Sequence, residues 1–226
     1  MNEALFRYER KFLVDQLDAH QVRMLVKLHP ALFVQPYPPR FVNNVYFDSP
    51  GLDFYHDNVR GVSDRIKVRV RWYGDLLGAI KQPTLEFKVK RGLVGAKEQY
   101  PLAPFQLAPG VSNGRLQGLL RESPLPGWAV ACLHNLSAVL VNRYERWYFA
   151  TRDGAYRVTV DTGLTFYRVG QLRSSLAHRQ VDPVHVIVEL KYGAAHEKGA
   201  GRVSGYFPFR VTKSSKYVQG IEHVFP

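Results

Sequence analysis

Apolar and polar residues alternate along several short stretches of the chain, most sharply over 65–72. Arg65, Lys67, Arg69 and Arg71 hold the odd positions there, with Ile66, Val68, Val70 and Trp72 between them. Side chains of a strand point to its two faces in turn, so the stretch predicts a strand with one cationic and one apolar face. The same period of two predicts strands over 4–14, 41–48, 84–91, 138–150, 155–161, 164–169 and 184–192. Gly92 and Gly95 signal a turn, so 94–101 returns against 84–91 as a hairpin. Asp15 and Asp18 mark a helix start, and Leu17, Val22, Leu25, Val26 and Leu28 give it an apolar stripe that ends at the prolines from Pro30 onward. Residues 102–136 lose the alternation and carry a helical patch at Leu116–Leu120, an insertion between two strand-rich halves. A last short helix begins near Lys213-Ser214-Ser215-Lys216. These elements predict one domain over 1–226.

Two strings recur. Arg7-Tyr8-Glu9-Arg10 matches Arg143-Tyr144-Glu145-Arg146, and Glu86-Phe87-Lys88 is echoed by Glu189-Leu190-Lys191. Taken as a true repeat, they imply two related half-sheets.

Charge gives the pattern a chemical direction. The 226 residues carry a formal charge of +12, and residues 65–101 alone hold nine Lys/Arg against three Asp/Glu. Such concentration points to an anionic partner. The predicted polar faces gather Glu9 and Lys11; Arg65, Lys67, Arg69 and Arg71; Glu86, Lys88 and Lys90; Arg143 and Glu145; Arg157 and Asp161; Glu189 and Lys191. Such strands form either a sheet with its charges in water or a closed barrel with them inward. The excess of cations favours the barrel, because a solvated face mixes signs. The sparse carboxylates stand one step from a lysine, as in Glu9/Lys11, Glu86/Lys88 and Glu189/Lys191. Cations neutralise phosphate oxygens and carboxylates hold Mn²⁺ or Mg²⁺, so the mixture suits a metal-chelated polyphosphate. Glu145 is assigned either to the metal or to a neighbouring arginine.

Other chemistries find less support. GxxxxGK[ST], GxGxxG and HExxH are all missing from the sequence. The single cysteine, Cys132, lies in an apolar run and reads as an inert thiol. The strand aromatics fall opposite the cations, which argues against nucleic acid stacked beside the charges.

Taken in order, the strings Arg-Tyr-Glu-Arg-Lys-Phe (7–12), Asn-Val-Tyr-Phe-Asp-Ser-Pro (44–50), Arg-Ile-Lys-Val-Arg-Val-Arg-Trp-Tyr-Gly (65–74), Glu-Phe-Lys-Val-Lys (86–90), Asn-Arg-Tyr-Glu-Arg (142–146), Arg-Val-Thr-Val-Asp (157–161), Val-Glu-Leu-Lys-Tyr (188–192) and Lys-Ser-Ser-Lys-Tyr (213–217) resemble the VTC (vacuolar transporter chaperone) domain. That family is a polyphosphate polymerase-like branch of the CYTH-like triphosphate tunnel metalloenzymes. The resemblance implies an α+β, mainly β fold: an antiparallel closed tunnel barrel of about eight strands, charged inside, with helices packed outside. It implies synthesis of polyphosphate from the γ-phosphate of ATP. A triphosphatase with water as acceptor, or a non-catalytic polyphosphate or nucleotide binder, would use the same residues.

By position, the resemblance assigns Lys11, Arg69, Arg71, Lys88, Lys97, Arg143, Arg157, Lys213, Ser215 and Lys216 to phosphate, with Arg69, Arg71, Arg143, Arg157 and Lys88 at the reacting group. Glu189 becomes the principal metal ligand with Lys191 beside it. Arg65, Lys67 and Lys90 share the cationic faces and guide phosphate inward. Where the wider family opens with Glu-x-Glu-x-Lys, this chain has Arg7-x-Glu9-x-Lys11, which favours anion binding over a two-metal hydrolytic arrangement. The expected location is cytoplasmic or at the inner face of a membrane, with export of any product left to a separate membrane protein partner.

Overall fold

The structure is a computed structural model that describes residues 7–91, 94–108, 113–169 and 176–225. Its elements follow one another as β1 (Arg7–Val14), α1 (Ala19–Lys27), β2 (Arg40–Asp48), α2 (Asp53–Arg60), β3 (Asp64–Tyr73), β4 (Gly78–Ile80), β5 (Thr84–Arg91), β6 (Val94–Pro101), β7 (Phe105–Leu107), α3 (Asn113–Arg121), α4 (Gly127–Leu133), β8 (Ser137–Ala150), β9 (Tyr156–Val169), β10 (Leu176–Asp182), β11 (Val186–Gly193), α5 (Glu197–Gly205) and α6 (Lys216–Val224). The main sheet has the order β1-β11-β9-β8-β2-β3-β5-β6, with β10 against β9, while β4 pairs with β7. Every ladder with a defined register is antiparallel, including the expected β5/β6 hairpin. The fold is mainly β, as the alternation predicted.

Two compact units emerge: Met1–Phe41 with Tyr144–Leu164 and Asp182–Ser214, and Val42–Arg143 with Thr165–Val181 and Ser215–Pro226. In the first unit, Asp18 caps α1 through a capping box: its Oδ1 accepts the Gln21 N–H at 2.8 Å, and Gln21 Oε1 accepts the Asp18 N–H at 2.9 Å. Val22 and Val26 of α1 and Ala200 and Val203 of α5 pack with Phe12, Val158, Val160, Val188 and Leu190 from the strands. Burial of such side chains stabilises by about 1.5–3 kcal/mol for each large aliphatic or aromatic one.

In the second unit, Val68, Val70 and Trp72 of β3 and Leu85 and Phe87 of β5 pack with Leu116 and Leu120 of α3 and Ala129 of α4. The even positions of 65–72 are therefore core, as expected. Helix α6 packs on the other face of β2: Tyr217 stacks on Tyr46 and donates its hydroxyl proton to Asp48. Asp48 also accepts from the backbone N–H groups of Ser49, Phe54 and Tyr55, so it caps the start of α2. Burial pushes its carboxyl up, against the lowering effect of those four bonds.

Gly220 sets the depth at which α6 sits. A Cβ there would meet Leu140 Cδ2 at 2.5 Å and Phe166 Cδ1 at 2.7 Å. Gly220→Ala gains helix propensity but overpacks this contact, so the variant is expected to lose about 1–2 kcal/mol on urea unfolding. Unchanged stability would show that α6 can shift at little cost.

The strands predicted at 155–161 and 164–169 form a single element, β9. Gly163, at φ +62°, lies between them. Val158 and Val160 before it face the first unit's core, whereas Tyr167 and Val169 after it face the second unit's core. The core-facing parity switches across that glycine, which simple alternation does not anticipate.

Candidate functional site

The cations of the second unit come together because β3, β5 and β6 pair in register. Lys67 stands opposite Lys88, which stands opposite Lys97. Directly opposed side chains lie about 4.5–5.5 Å apart at Cβ, and like charges so placed repel. The next rung is Arg69, Glu86 and Gln99; beyond it Arg71 opposes Thr84, and on the far side Arg65 opposes Lys90. One face thus carries Arg65, Lys67, Arg69, Arg71, Lys88, Lys90 and Lys97.

Glu86 organises this row. It is 1% exposed and accepts two bonds from Arg69, Nε at 2.7 Å and Nη2 at 2.5 Å, and one from Gln99 at 2.8 Å. Lys97 lies 3.4 Å away and Arg71 3.9 Å away. Burial pushes the Glu86 carboxyl up, but Arg69, Arg71 and Lys97 outweigh it and hold the group well below the usual carboxylate range. Lys97 is lowered, burial outweighing the carboxylate. Arg69 Nη1 also reaches the Tyr46 hydroxyl at 3.2 Å, and Arg71 Nε donates to Asn44 Oδ1 at 2.9 Å.

Ser215 is the N-cap of α6, and its hydroxyl accepts from Lys67 Nζ at 2.8 Å. The expected helix start thus meets the cationic strand, with Lys216 in its first turn. Lys213 is exposed just ahead of it. Arg65 Nη1 donates to the Val62 carbonyl at 2.6 Å, near the end of the row.

The first unit's polar face mixes signs. Lys11 opposes Glu189 and Glu9 opposes Lys191 across β1 and β11. Lys191 Nζ lies 2.7 Å from Glu189 and 3.6 Å from Glu9; Lys11 Nζ lies 3.6 Å from Glu189 and 3.9 Å from Glu9. Arg157 is exposed and opposes Lys191. Lys11 Nζ also donates to the Ser214 carbonyl at 3.1 Å.

Arg146 completes this face, and sequence reasoning missed it. Its Nε and Nη2 form a fork on Asp161 at 2.6 Å each, and Nη2 reaches Glu189 Oε2 at 3.3 Å. Burial works against its charge, yet Asp161 and Glu189 push its affinity for the proton above the ordinary guanidinium value. Asp161 is thus held in a salt bridge on the polar face.

The predicted faces of β8 are corrected. Arg143 donates to Asn43 Oδ1 at 3.3 Å and to the Gly74 carbonyl at 3.2 Å, whereas its neighbour Asn142 faces Asn44. Glu145 accepts from Trp147 Nε1 at 3.1 Å, on the side where Arg23 covers the Trp147 ring. Arg143 and Glu145 share the parity of the core residues Val141 and Phe149, so Asn142, Tyr144 and Arg146 form the polar face instead. The recurring string follows suit. Arg10, the counterpart of Arg146, bonds Tyr192 and Ser204 on the core side of its strand, so the two copies present opposite faces.

The expected metal ligands also separate. Glu86 is enclosed by two guanidinium groups and Lys97, an environment that repels a metal ion. Glu145 lies on the opposite face. Glu9 and Glu189 remain, with two ammonium groups between them. Among the described residues, no three His, Cys, Asp or Glu side chains gather as a ready ligand set. Cys132 is half-buried, and burial pushes its thiol up, consistent with an inert group. Among the described residues no helix is long and apolar enough to cross a membrane.

The chain thus forms an antiparallel, mainly β fold that carries a cross-strand row of lysines and arginines. The chain matches the family model of the VTC domain over residues 6–225 and belongs to that family. No curated protein matches it. Among solved structures, it is similar to a candidate adenylate cyclase from Vibrio parahaemolyticus at 11% identity, with a TM-score of 0.53, covering 96% of this chain and 98% of that one. The PH1819 protein of Pyrococcus horikoshii OT3 aligns at 11% identity and a TM-score of 0.49, over 95% and 96% of the two chains.

Proposed function

We propose that the protein is a metal-dependent phosphotransferase that passes the γ-phosphoryl group of ATP to the end of an inorganic polyphosphate chain. The observation that carries this reading is the row Lys67, Lys88 and Lys97 beside Arg69 and Arg71. Three lysines held directly opposite one another suit a ligand with closely spaced negative charges. Membership of the VTC domain family supports the same class of substrate.

In the reaction, a terminal phosphate oxygen of the acceptor chain bonds to Pγ, the bond from Pγ to the β-bridging oxygen breaks, and ADP leaves with that electron pair. Phosphoryl transfer needs placement and charge stabilisation more than a protein nucleophile. Lys67, Lys88 and Lys97 hold phosphate oxygens, and Arg69 and Arg71 stabilise charge on the transferring group. Ser215 and Lys216 add a helix N-terminus to the same cationic face. In the first unit Glu189 and Glu9 would hold Mn²⁺ or Mg²⁺, which keeps most of its ligands as water and phosphate oxygens when protein carboxylates are few. That ion would supply charge neutralisation on phosphate oxygens. Export of the product falls to a separate membrane protein.

The test is product analysis with ATP and Mn²⁺ by ³¹P NMR and gel electrophoresis. Long polyphosphate together with ADP is expected. Free phosphate alone would make the protein a triphosphatase, and no turnover with either metal would make it a binder.

A further inference from the structure

Arg69 and Arg71 are two residues apart on one strand face, yet they are held differently. Arg69 rests on the Glu86 carboxylate, whereas Arg71 Nε donates to a neutral amide, Asn44 Oδ1, at 2.9 Å. That single bond dictates a chain of orientations. A guanidinium only donates, so Asn44 must turn its carbonyl oxygen toward Arg71. Its Nδ2 is thereby aimed at β8, where it donates to Asn142 Oδ1 at 2.7 Å. Asn142 must then turn its own Nδ2 away, and this group finds no partner among the described residues. Both side chains are buried, Asn44 at 0% and Asn142 at 1% exposure.

An unmet buried donor costs as much as a lost hydrogen bond, and native proteins retain few of them. Strand β8 carries Val139, Leu140 and Val141 just before this position, all buried. An apolar residue at 142 would thus suit the strand and avoid the penalty. The two amides do something an apolar pair or a carboxylate cannot: they fix a guanidinium without adding negative charge beside it.

We propose that Asn142, acting through Asn44, is a positioning residue for Arg71, an uncharged relay that aims the guanidinium at a phosphate oxygen. This rests on reading the cationic face as a triphosphate site, and it assigns roles to two residues outside the row of cations.

The test uses the full chain, inorganic tripolyphosphate as probe in calorimetry, and the NMR signal of the Arg71 Nε–H. Asn142→Leu keeps the branched heavy-atom shape and removes the unmet donor, so a packing role alone would leave affinity unchanged. The relay instead predicts about tenfold weaker tripolyphosphate binding, a size common when an orienting partner is lost. It also predicts less than twofold further loss when Asn142→Leu is added to Arg71→Ala, because the residue acts through that arginine. The Nε–H signal should broaden in Asn142→Leu and persist in Asn142→Asp, which keeps the acceptor for Asn44. Should Asn142→Leu fail to fold, Asn44→Ser carries the same expectations. Unchanged affinity and an unchanged signal overturn the relay, as does a full additional loss in the Arg71→Ala background. If the wild type binds no tripolyphosphate, the triphosphate reading of the face falls, and the relay is then judged by the Nε–H signal alone: broadening keeps it, and no change removes it.

Discussion

Arg146→Ala is expected to be the most damaging single substitution in the first unit, at about 3–5 kcal/mol of stability, the cost of leaving a buried carboxylate without its forked cation. Asp161 is fully buried, and Arg146 holds it with two bonds of 2.6 Å while also reaching Glu189. Removing the fork takes both of those bonds from Asp161, while Glu189 keeps Lys191 at 2.7 Å. Arg146→Lys restores a charge but not the planar pair of donors, so it should recover only part of the loss. Urea unfolding of the two variants measures this directly. A loss under about 1 kcal/mol for Arg146→Ala would mean that water or a neighbouring lysine can replace the guanidinium at little cost.

The second large effect separates stability from binding at one residue. Arg69→Ala leaves Glu86 buried with weaker partners and should cost about 3 kcal/mol, the lower end for a broken buried pair, since Lys97 and Gln99 still contact it. Adding Glu86→Gln removes the stranded charge and should return most of that stability. It should not return tripolyphosphate binding, expected to fall by about 100-fold on losing one charge-assisted contact. Recovery of both together would show that Arg69 serves only to neutralise Glu86. Acid should neutralise Glu86 in the wild type and break the same pair from its other side. The carboxyl of Glu86 is held low in the folded state, so its contribution is full above the ordinary carboxylate range and is lost as pH falls below it.

Strand β3 and its hairpin neighbours were legible because their two faces differ in kind at every step, cation against hydrocarbon. The faces of β8 were not. Its first half, Ala138 to Val141, is apolar on both sides and buried on both, so period two carries no sign there. Arg143 and Arg146 stand three residues apart and so face opposite ways, but a string with arginine at each end fits either register. Trp147 and Phe149 held the answer, since large apolar residues at odd positions mark the core side. Helix α2 escaped notice because it is short and none of its residues is fully buried, although Phe54 packs against the core. Helix α5 carries three glycines, at 199, 201 and 205, and one of them faces Tyr156 so closely that a Cβ would collide with its hydroxyl. That composition reads as loop until the packing is seen. The α6 cap at Ser215 was visible as polar spacing, but its bond to Lys67 joins residues 148 positions apart, and no local pattern reports such a pairing.

The lysine rung across β3, β5 and β6 also bears on how this protein behaves in a tube. Mutual repulsion among Lys67, Lys88 and Lys97 is a tension that any bound multivalent anion relieves, and whatever binds only the folded chain raises its melting temperature in proportion to the logarithm of concentration over Kd. Melting temperature thereby becomes a reporter of occupancy. A panel of phosphates of increasing length, compared at equal ionic strength, would rank its ligands whichever reaction the bound phosphate goes on to undergo.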